Sequence, residues 1–314
     1  MNRSPAHPSR VGLSIRGLAR LAVIVASLLT LSAPAWAGNV VVLRSRAAGP
    51  YDEAIAGFDA AFRGQVTRFT IEDTGAARLA ERVGTLRPDA LVAIGLRAAL
   101  YARDHFPRTP IVFCVVQDPE HSDLGGAWIT GVSTAIPQQV ELASLRTAAP
   151  DVRRVAVFYG RDTGAEFARG ARTAAAAVGF ELVEVPIANL SELAGRAREA
   201  VAHADALWMP ADPTVAASEP FKFLLKLSLD QRKPLFVFSD ALVKAGALAA
   251  VVPDYAAAGA QAAEAVRRIQ SGERAGDIPV AATRRTRLVV NEATARALGR
   301  ELPLAVRRDG EVLK

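Results

Sequence analysis

The 314-residue chain holds one cysteine, two methionines and four histidines. A single cysteine excludes an internal disulfide and a cysteine-rich metal site. His7, His105, His121 and His203 are widely spaced, with no second His at a ligand interval, which argues against zinc. No Gly-x-Gly-x-x-Gly and no P-loop follows an apolar strand, so a nucleotide site has no support. Ser133 lies in no Gly-x-Ser-x-Gly elbow, and no His–carboxylate partner can be named for it. No paired-carboxylate device is visible either. These absences point away from an enzyme and away from any cofactor. Charge of one sign is also scarce. The formal net charge is +6, but Arg3, Arg10, Arg16 and Arg20 stand in the first 37 residues with no acid among them. The rest of the chain carries 34 basic against 32 acidic residues. A near-neutral body argues against a nucleic-acid partner, which normally requires a basic patch.

What is present is small and apolar. Hydrophobic residues make up 51% of the chain and aromatics only 6%, with Ala and Val dominant. That is too apolar for disorder, and the length fits one large domain or two of moderate size. Residues 1–20 are basic and polar, and the run Leu21 to Ala33 is apolar over 13 residues before Pro34. A membrane span needs about 20 apolar residues, so this run is too short. Ala35-Trp36-Ala37 fits the small-x-small pattern of signal peptidase, so 1–37 reads as a cleavable export signal. No cysteine follows for lipidation and no Arg-Arg pair precedes. The expected location is the periplasm, as an unlipidated soluble protein.

The body alternates strands and helices. Asn39 to Arg44, Val66 to Ile71, Ala90 to Ile94, Pro110 to Val116 and Ile129 to Ser133 read as strands. Helical spacing separates them at Tyr51 to Phe62, Gly75 to Val83 and Leu96 to His105. The pattern then restarts, with strands at Arg154 to Tyr159, Glu181 to Ile187, Ala204 to Met209, Pro234 to Phe238 and Leu248 to Val252. Unbroken apolar strands between helices indicate parallel sheets covered on both faces. Two successive units give an α/β fold with two doubly wound parallel-sheet lobes, with a closed barrel as the alternative. After Val252 the order changes. A single helix, Asp254 to Ile269, is followed by an extended stretch, a strand at Arg287 to Val290 and a helix at Glu292 to Leu298. That looks like the chain crossing back between lobes.

Several stretches resemble the substrate-binding proteins of ABC transporters, in the group that includes tryptophan- and tyrosine-binding members. They are Ile129-Thr130-Gly131-Val132-Ser133 with Pro137, Pro150 with Arg154-Val155-Ala156-Val157, and Met209-Pro210-Ala211-Asp212 with Val215. Gly246-Ala247-Leu248-Ala249, Asp254-Tyr255 with Gly259, and Val290-Asn291 with Ala295 and Gly299 complete the set. Members often carry a His-Pro pair after the first strand, where this chain has Gly49-Pro50-Tyr51-Asp52. The resemblance implies a periplasmic binding protein type I-like fold with three crossovers between lobes. Lobe 1 would be 38–132 plus 254–284, and lobe 2 would be 133–253 plus 285–314. It also implies a small-molecule ligand held between them and delivery to ABC permease transmembrane subunits. A monomer is expected.

In open α/β sheets the ligand sits beyond the carboxyl ends of the strands. That rule and the family layout select Ser45 and Tyr51, then Gly95 and Arg97, then Gln117, Asp118 and Ser133 in lobe 1. They select Tyr159 and Asp212 in lobe 2, and Asp254 at a crossing. Free amides at the helix start after Gly95, with the Arg97 guanidinium, favour a carboxylate. Asp212 suits an ammonium, and Tyr159 suits stacking. Plainer roles compete: Arg97 as a solvated surface residue, Ser133 in a turn, Asp212 as a turn cap, Ser239 as a helix cap. Trp208 reads as core and Cys114, amid apolar neighbours, as a buried inert thiol.

The leading expectation is a periplasmic solute-binding protein for an amino-acid-like ligand. A ligand-sensing protein feeding a membrane sensor kinase is the alternative, and a periplasmic enzyme on the same scaffold is a third. The export reading has a direct test. The mature chain should begin at Gly38, which intact-mass measurement of the periplasmic fraction checks. A chain that keeps residues 1–37 and pellets with membranes refutes it.

Overall fold

The computed structural model describes residues 38–72, 75–162 and 164–314. The export signal expected over residues 1–37 lies outside them. From Asn39 the chain runs through β1 (Asn39–Arg44), α1 (Gly49–Ala61), β2 (Gln65–Thr70), α2 (Ala76–Leu86), β3 (Ala90–Ile94), α3 (Leu96–His105), β4 (Ile111–Val116) and β5 (Ile129–Ser133). A second series follows: α4 (Gln138–Ala148), β6 (Arg154–Gly160), α5 (Ala165–Val178), β7 (Glu181–Ile187), α6 (Leu190–His203) and β8 (Ala206–Trp208). It continues with α7 (Ser218–Asp230), β9 (Leu235–Val237), α8 (Asp240–Lys244) and β10 (Ala249–Pro253). The closing stretch is α9 (Tyr255–Gln270), β11 (Ala281–Ala282), β12 (Thr286–Asn291), α10 (Glu292–Ala297), α11 (Leu304–Asp309) and β13 (Glu311–Leu313).

These strands form two sheets. The first has the order β11-β5-β4-β3-β1-β2 and is parallel throughout. The second has the order β13-β12-β10-β9-β8-β6-β7, parallel except where β12 runs against β10. The central strands explain why. All five residues of β3 and all five of β10 are buried, so each strand must be covered on both faces. In the first sheet one face packs on α1 and α9 and the other on α2 and α3. In the second, one face packs on α4, α5, α10 and α11 and the other on α6, α7 and α8.

Alanine and glycine let the covering helices approach closely. Helices α1 and α9 meet with backbone against backbone. A Cβ on Gly57 would stand 2.0 Å from the Ala256 carbonyl oxygen, and one on Gly259 would stand 1.9 Å from that of Ala54. Neither position tolerates a side chain without moving a helix.

Among the described residues the chain passes between the sheets three times: after Ser133, after Pro253 and after Ala282. The three passages lie side by side. Ala282 pairs with Ser133, and the Thr283 amide donates to the Ser133 carbonyl at 2.9 Å. Pro253 pairs with Thr286, and the Asp254 amide donates to the Arg285 carbonyl at 3.0 Å. Gln261 on α9 is buried and holds the third passage with both ends of its amide. Its Nε2 donates to the Ala282 carbonyl at 3.0 Å, and its Oε1 accepts from the Arg284 amide at 2.9 Å.

The end of the chain differs from the sequence expectation. The strand expected at Arg287 to Val290 extends over Thr286–Asn291, and β11, α11 and β13 are additional. β13 pairs alongside β12 and so finishes the second sheet. Its three residues, and an α11 whose Leu304 is almost fully exposed, carry too little apolar periodicity to be read.

The helix crossing yields a stability prediction. Gly259→Val should cost about 3 kcal/mol through overpacking against Ala54, lowering Tm by about 5 °C or more. Thermal melts beside Gly195→Val, a helical glycine with open space around it and no left-handed backbone, check this, since a helix-propensity effect alone would lower both equally.

Candidate functional site

The candidates of the first sheet converge at its carboxyl edge. Ser45 follows β1 and is only 4% exposed. Its hydroxyl donates to the Ile94 carbonyl at 3.2 Å and accepts from the Ala98 amide at 3.0 Å. It therefore caps the start of α3 from a neighbouring strand, because Gly95 at the cap position has no side chain to do so. Gly95 has a φ of 91°, a left-handed conformation that glycine adopts readily. A Cβ there would lie 2.6 Å from the Ser45 hydroxyl and 2.9 Å from the Tyr51 ring. Ser45, Gly95 and Tyr51 thus form one compact floor. Arg97, in the first turn of α3, extends outward, with its side chain 64% exposed and 3.5 Å from the Glu72 carboxylate. A pair that open to water fixes its position weakly.

Gln117 and Asp118 follow β4 and are exposed. The Asp118 carboxylate accepts from the His121 amide at 3.1 Å and lies 2.9 Å from its ring Nδ1. Burial alone would raise the Asp118 pKa, but the hydrogen bonds from His121 outweigh it and hold the carboxyl below its ordinary value. The same contact raises His121. Ser133 donates to the Gln117 carbonyl and accepts from the Ala135 amide, both at 3.2 Å. Asp254 caps α9, accepting from the Ala257 amide at 2.9 Å. Five of these candidates are thereby brought together in two groups, Ser45 with Gly95 and Tyr51, and Gln117 with Ser133, while Asp118 is bonded to His121 and Asp254 stands at the second passage.

In the second sheet Asp212 follows β8 and is buried. Its Oδ1 accepts from the Thr214 amide at 2.8 Å, and its carbonyl accepts from the Val215 and Ala216 amides. The turn role and a ligand role are compatible, since only one carboxylate oxygen serves the turn. Tyr159 is engaged elsewhere. Its hydroxyl donates to Glu184 at 2.7 Å and its ring packs on Phe167. Burial, and then Glu184, push its pKa up to about 12. Ser239 caps α8, and Trp208 is fully buried. Cys114 is fully buried too, and burial pushes its thiol up to about 12. No thiolate is available there near neutrality.

Two open cavities flank these groups. One, of 520 Å³, is an apolar groove between α7 and α8 lined by Met209, Phe221, Leu225, Phe238 and Leu242 among others. The second, of 390 Å³, lies between α1 and β2 and contains the Arg44–Asp52 and Arg68–Asp59 pairs. None of the ten candidates lines either. Among the described residues no group of three or more His, Cys, Asp and Glu side chains could hold a metal ion, and no helix is long and apolar enough to cross a membrane.

Sequence reasoning missed two polar residues, Gln261, which is buried, and Glu141, which is half-buried. Gln261 is the lone amide on an alanine-rich helix face, and that isolation was the available signal. Glu141 shares the α4 face that carries Leu142 and Leu145, and the Trp208 indole N–H donates to its Oε1 at 3.0 Å. Desolvation by burial pushes the Glu141 carboxyl up to about 7, against the lowering effect of the indole bond.

Comparison with known proteins places the chain in a family. A family model described as ABC transporter substrate binding protein matches residues 70–309, and the chain belongs to that family. The family is one of substrate-binding proteins rather than enzymes. A curated tyrosine-binding protein of Clostridioides difficile (strain R20291) is 26% identical over 227 residues, 68% of this chain. The match spans 63% of the length of that relative. Among solved structures, the ligand-free, open form of a substrate-binding protein with adhesive properties from Clostridium difficile superposes with a TM-score of 0.74 and 22% identity. That superposition covers 88% of this chain and 99% of the other. An ABC domain in complex with L-Trp from Streptococcus pneumonia gives 0.62 and 21% identity, covering 88% and 99%. These structures share the fold, which is periplasmic binding protein type I-like.

The Glu141 site sets a pH dependence. In the unfolded chain this carboxyl has its ordinary pKa of 4.5, and in the fold about 7. The folded state therefore favours the protonated form, so this contribution to stability is full below pH 4.5 and is lost as pH rises to about 7. Glu141→Gln, which stays neutral and still accepts from Trp208, should melt higher than the wild type at about pH 8 and nearly equally at about pH 4.5. Parallel Tm curves across that range would refute the assignment.

Proposed function

We propose that this chain is a periplasmic solute-binding protein that captures a small amino-acid-like ligand between two lobes and delivers it to the transmembrane subunits of an ABC permease. L-Tyrosine and L-tryptophan are the first candidates, because a tyrosine-binding relative and an L-Trp complex stand among the proteins it is similar to. The lobes would be 38–132 plus 254–284 and 133–253 plus 285–314. The export signal read in residues 1–37 supports the location.

The observation that carries this reading is the set of three adjacent passages at the carboxyl edge of both sheets. Strand pairs and backbone bonds hold them side by side, so the lobes can bend about one line without shearing. Beside that line the first lobe offers the floor of Ser45, Gly95 and Tyr51, with the exposed Arg97 at the start of α3. The second lobe offers Asp212, with one carboxylate oxygen beyond the turn it caps. A zwitterion would put its carboxylate toward Arg97 and the α3 amides and its ammonium toward Asp212. A flat side chain would rest on Tyr51. Tyr159 offers such a ligand little, since the residue is buried, its ring packs on Phe167 and its hydroxyl is committed to Glu184.

Native mass spectrometry of protein purified from its own host should find a co-purifying small ligand. Titration calorimetry with L-tyrosine and L-tryptophan then measures affinity directly. A charge-assisted hydrogen bond contributes about 1.5–3 kcal/mol, so Arg97→Ala and Asp212→Asn should each weaken binding about 10- to 150-fold. Asp212→Asn keeps an acceptor for the Thr214 amide and should leave Tm unchanged. Normal affinity in both variants removes these residues from the site. Turnover of a bound ligand would favour an enzyme instead.

A further inference from the structure

Strand β4 breaks its own alternation. Ile111 and Phe113 face the α2/α3 layer, and Val112 and Cys114 face the α1/α9 layer. In an undisturbed strand Val115 would return to the α2/α3 side. Instead it packs with the α1/α9 layer, as Cys114 does, and Val116 takes the α2/α3 side. The register shows the cause. Cys114 pairs with Val132 and Val116 with Ser133, so Val115 is an extra residue, a β-bulge. Its φ is 57°, in the left-handed region that a β-branched side chain avoids. Glycine would adopt that conformation freely.

The bulge is bonded on both sides. The Cys114 carbonyl accepts from the Gly95 amide at 2.8 Å, which ties it to the floor of the first lobe. The Val116 carbonyl accepts from the Thr134 amide at 2.8 Å, and the Gln117 carbonyl accepts from the Ser133 hydroxyl at 3.2 Å. Those two bonds attach the first passage between the lobes to the start of the Gln117–Asp118 loop. Removing the extra residue would turn Val116 and Gln117 by one position and misdirect both carbonyls. The half-buried isopropyl group of Val115, packed in the same layer as Tyr51 and Tyr255, holds the bulge to one conformation.

We propose that Val115 is a positioning residue: its strained bulge clamps the Gln117–Asp118 loop to the first interlobe passage, so that contact with a ligand on that loop is transmitted to lobe closure. The clamp is a matter of geometry alone, while its link to the ligand rests on the cleft reading above.

The test uses the full mature chain with Val115→Gly, which can adopt the bulge but lacks the packed side chain, and Val115→Ile, which keeps it. Amide hydrogen exchange of the ligand-free protein should show Thr134 exchanging at least tenfold faster in Val115→Gly, with β1 and β3 amides unchanged and Val115→Ile like the wild type. Wild-type exchange at Thr134 in Val115→Gly, or a uniform acceleration through the lobe, overturns the clamp. Calorimetry with L-tyrosine and L-tryptophan reads the second half. Affinity should fall about tenfold in Val115→Gly and recover in Val115→Ile. Fast exchange with unchanged affinity overturns the link to the ligand. If the wild type binds neither amino acid, the ligand reading fails by itself and the exchange data still decide the clamp.

Discussion

Gln261 holds two backbone groups of a neighbouring segment with the two ends of one amide, and the arrangement of the lobes depends on that attachment. Helix α9 is walled with alanine, which lets it lie backbone to backbone on α1. Such a surface has no directional grip of its own. The buried amide supplies it, through bonds to Ala282 and Arg284. Leaving either end unpaired would cost more than its bond contributes net, so the contact specifies one register for the third passage. That register places Thr283 against Ser133 and Arg285 against Asp254, which brings the three passages into one band.

The band explains why so many candidate side chains have two roles. Ser45 caps a helix, Asp212 caps a turn and Asp254 caps α9. Strand ends in a doubly wound sheet are also helix beginnings, so groups that satisfy free amides necessarily line the edge where a ligand would sit. Structural use of a residue there is no argument against binding. What distinguishes them is spare capacity. Asp212 keeps a second carboxylate oxygen, whereas the Tyr159 hydroxyl already donates its one proton to Glu184.

The strand–helix order was legible because the central strands are continuous apolar runs, and burial on both faces demands that composition. Ala90 to Ile94 and Ile129 to Ser133 stand as read. The family stretches were legible too, in the motifs from Ile129 onward. The chain end was not, because β13 is held by pairing with β12 rather than by a pattern of its own. Nor was the bulge. In an unbroken apolar run, regular alternation reads the same as alternation with one residue added. The sequence around Val115 also lacks the glycine that would mark a left-handed position. The polar partners of Trp208 and of the third passage were readable only as isolated polar residues on buried helix faces. Their partners lie dozens of positions away or across a turn, where no local pattern reaches.

One ion pair spans the band. Arg287 on β12 reaches Glu53 on α1 at 3.0 Å and Glu311 on β13 at 2.7 Å, joining the helix layer of the first sheet to the edge of the second. These groups are partly open to water, so the pairs add little to stability. Their geometry matters more. Glu311 belongs to the same sheet as Arg287, while Glu53 lies on α1, which covers the other sheet. A change in lobe angle can therefore release Glu53 without leaving the guanidinium unpaired. In the proposed closure, the buried amide of Gln261 would fix where the chain bends, and the charge contact beside it would let the angle change at small cost. Capture and release of the proposed ligand would call on both.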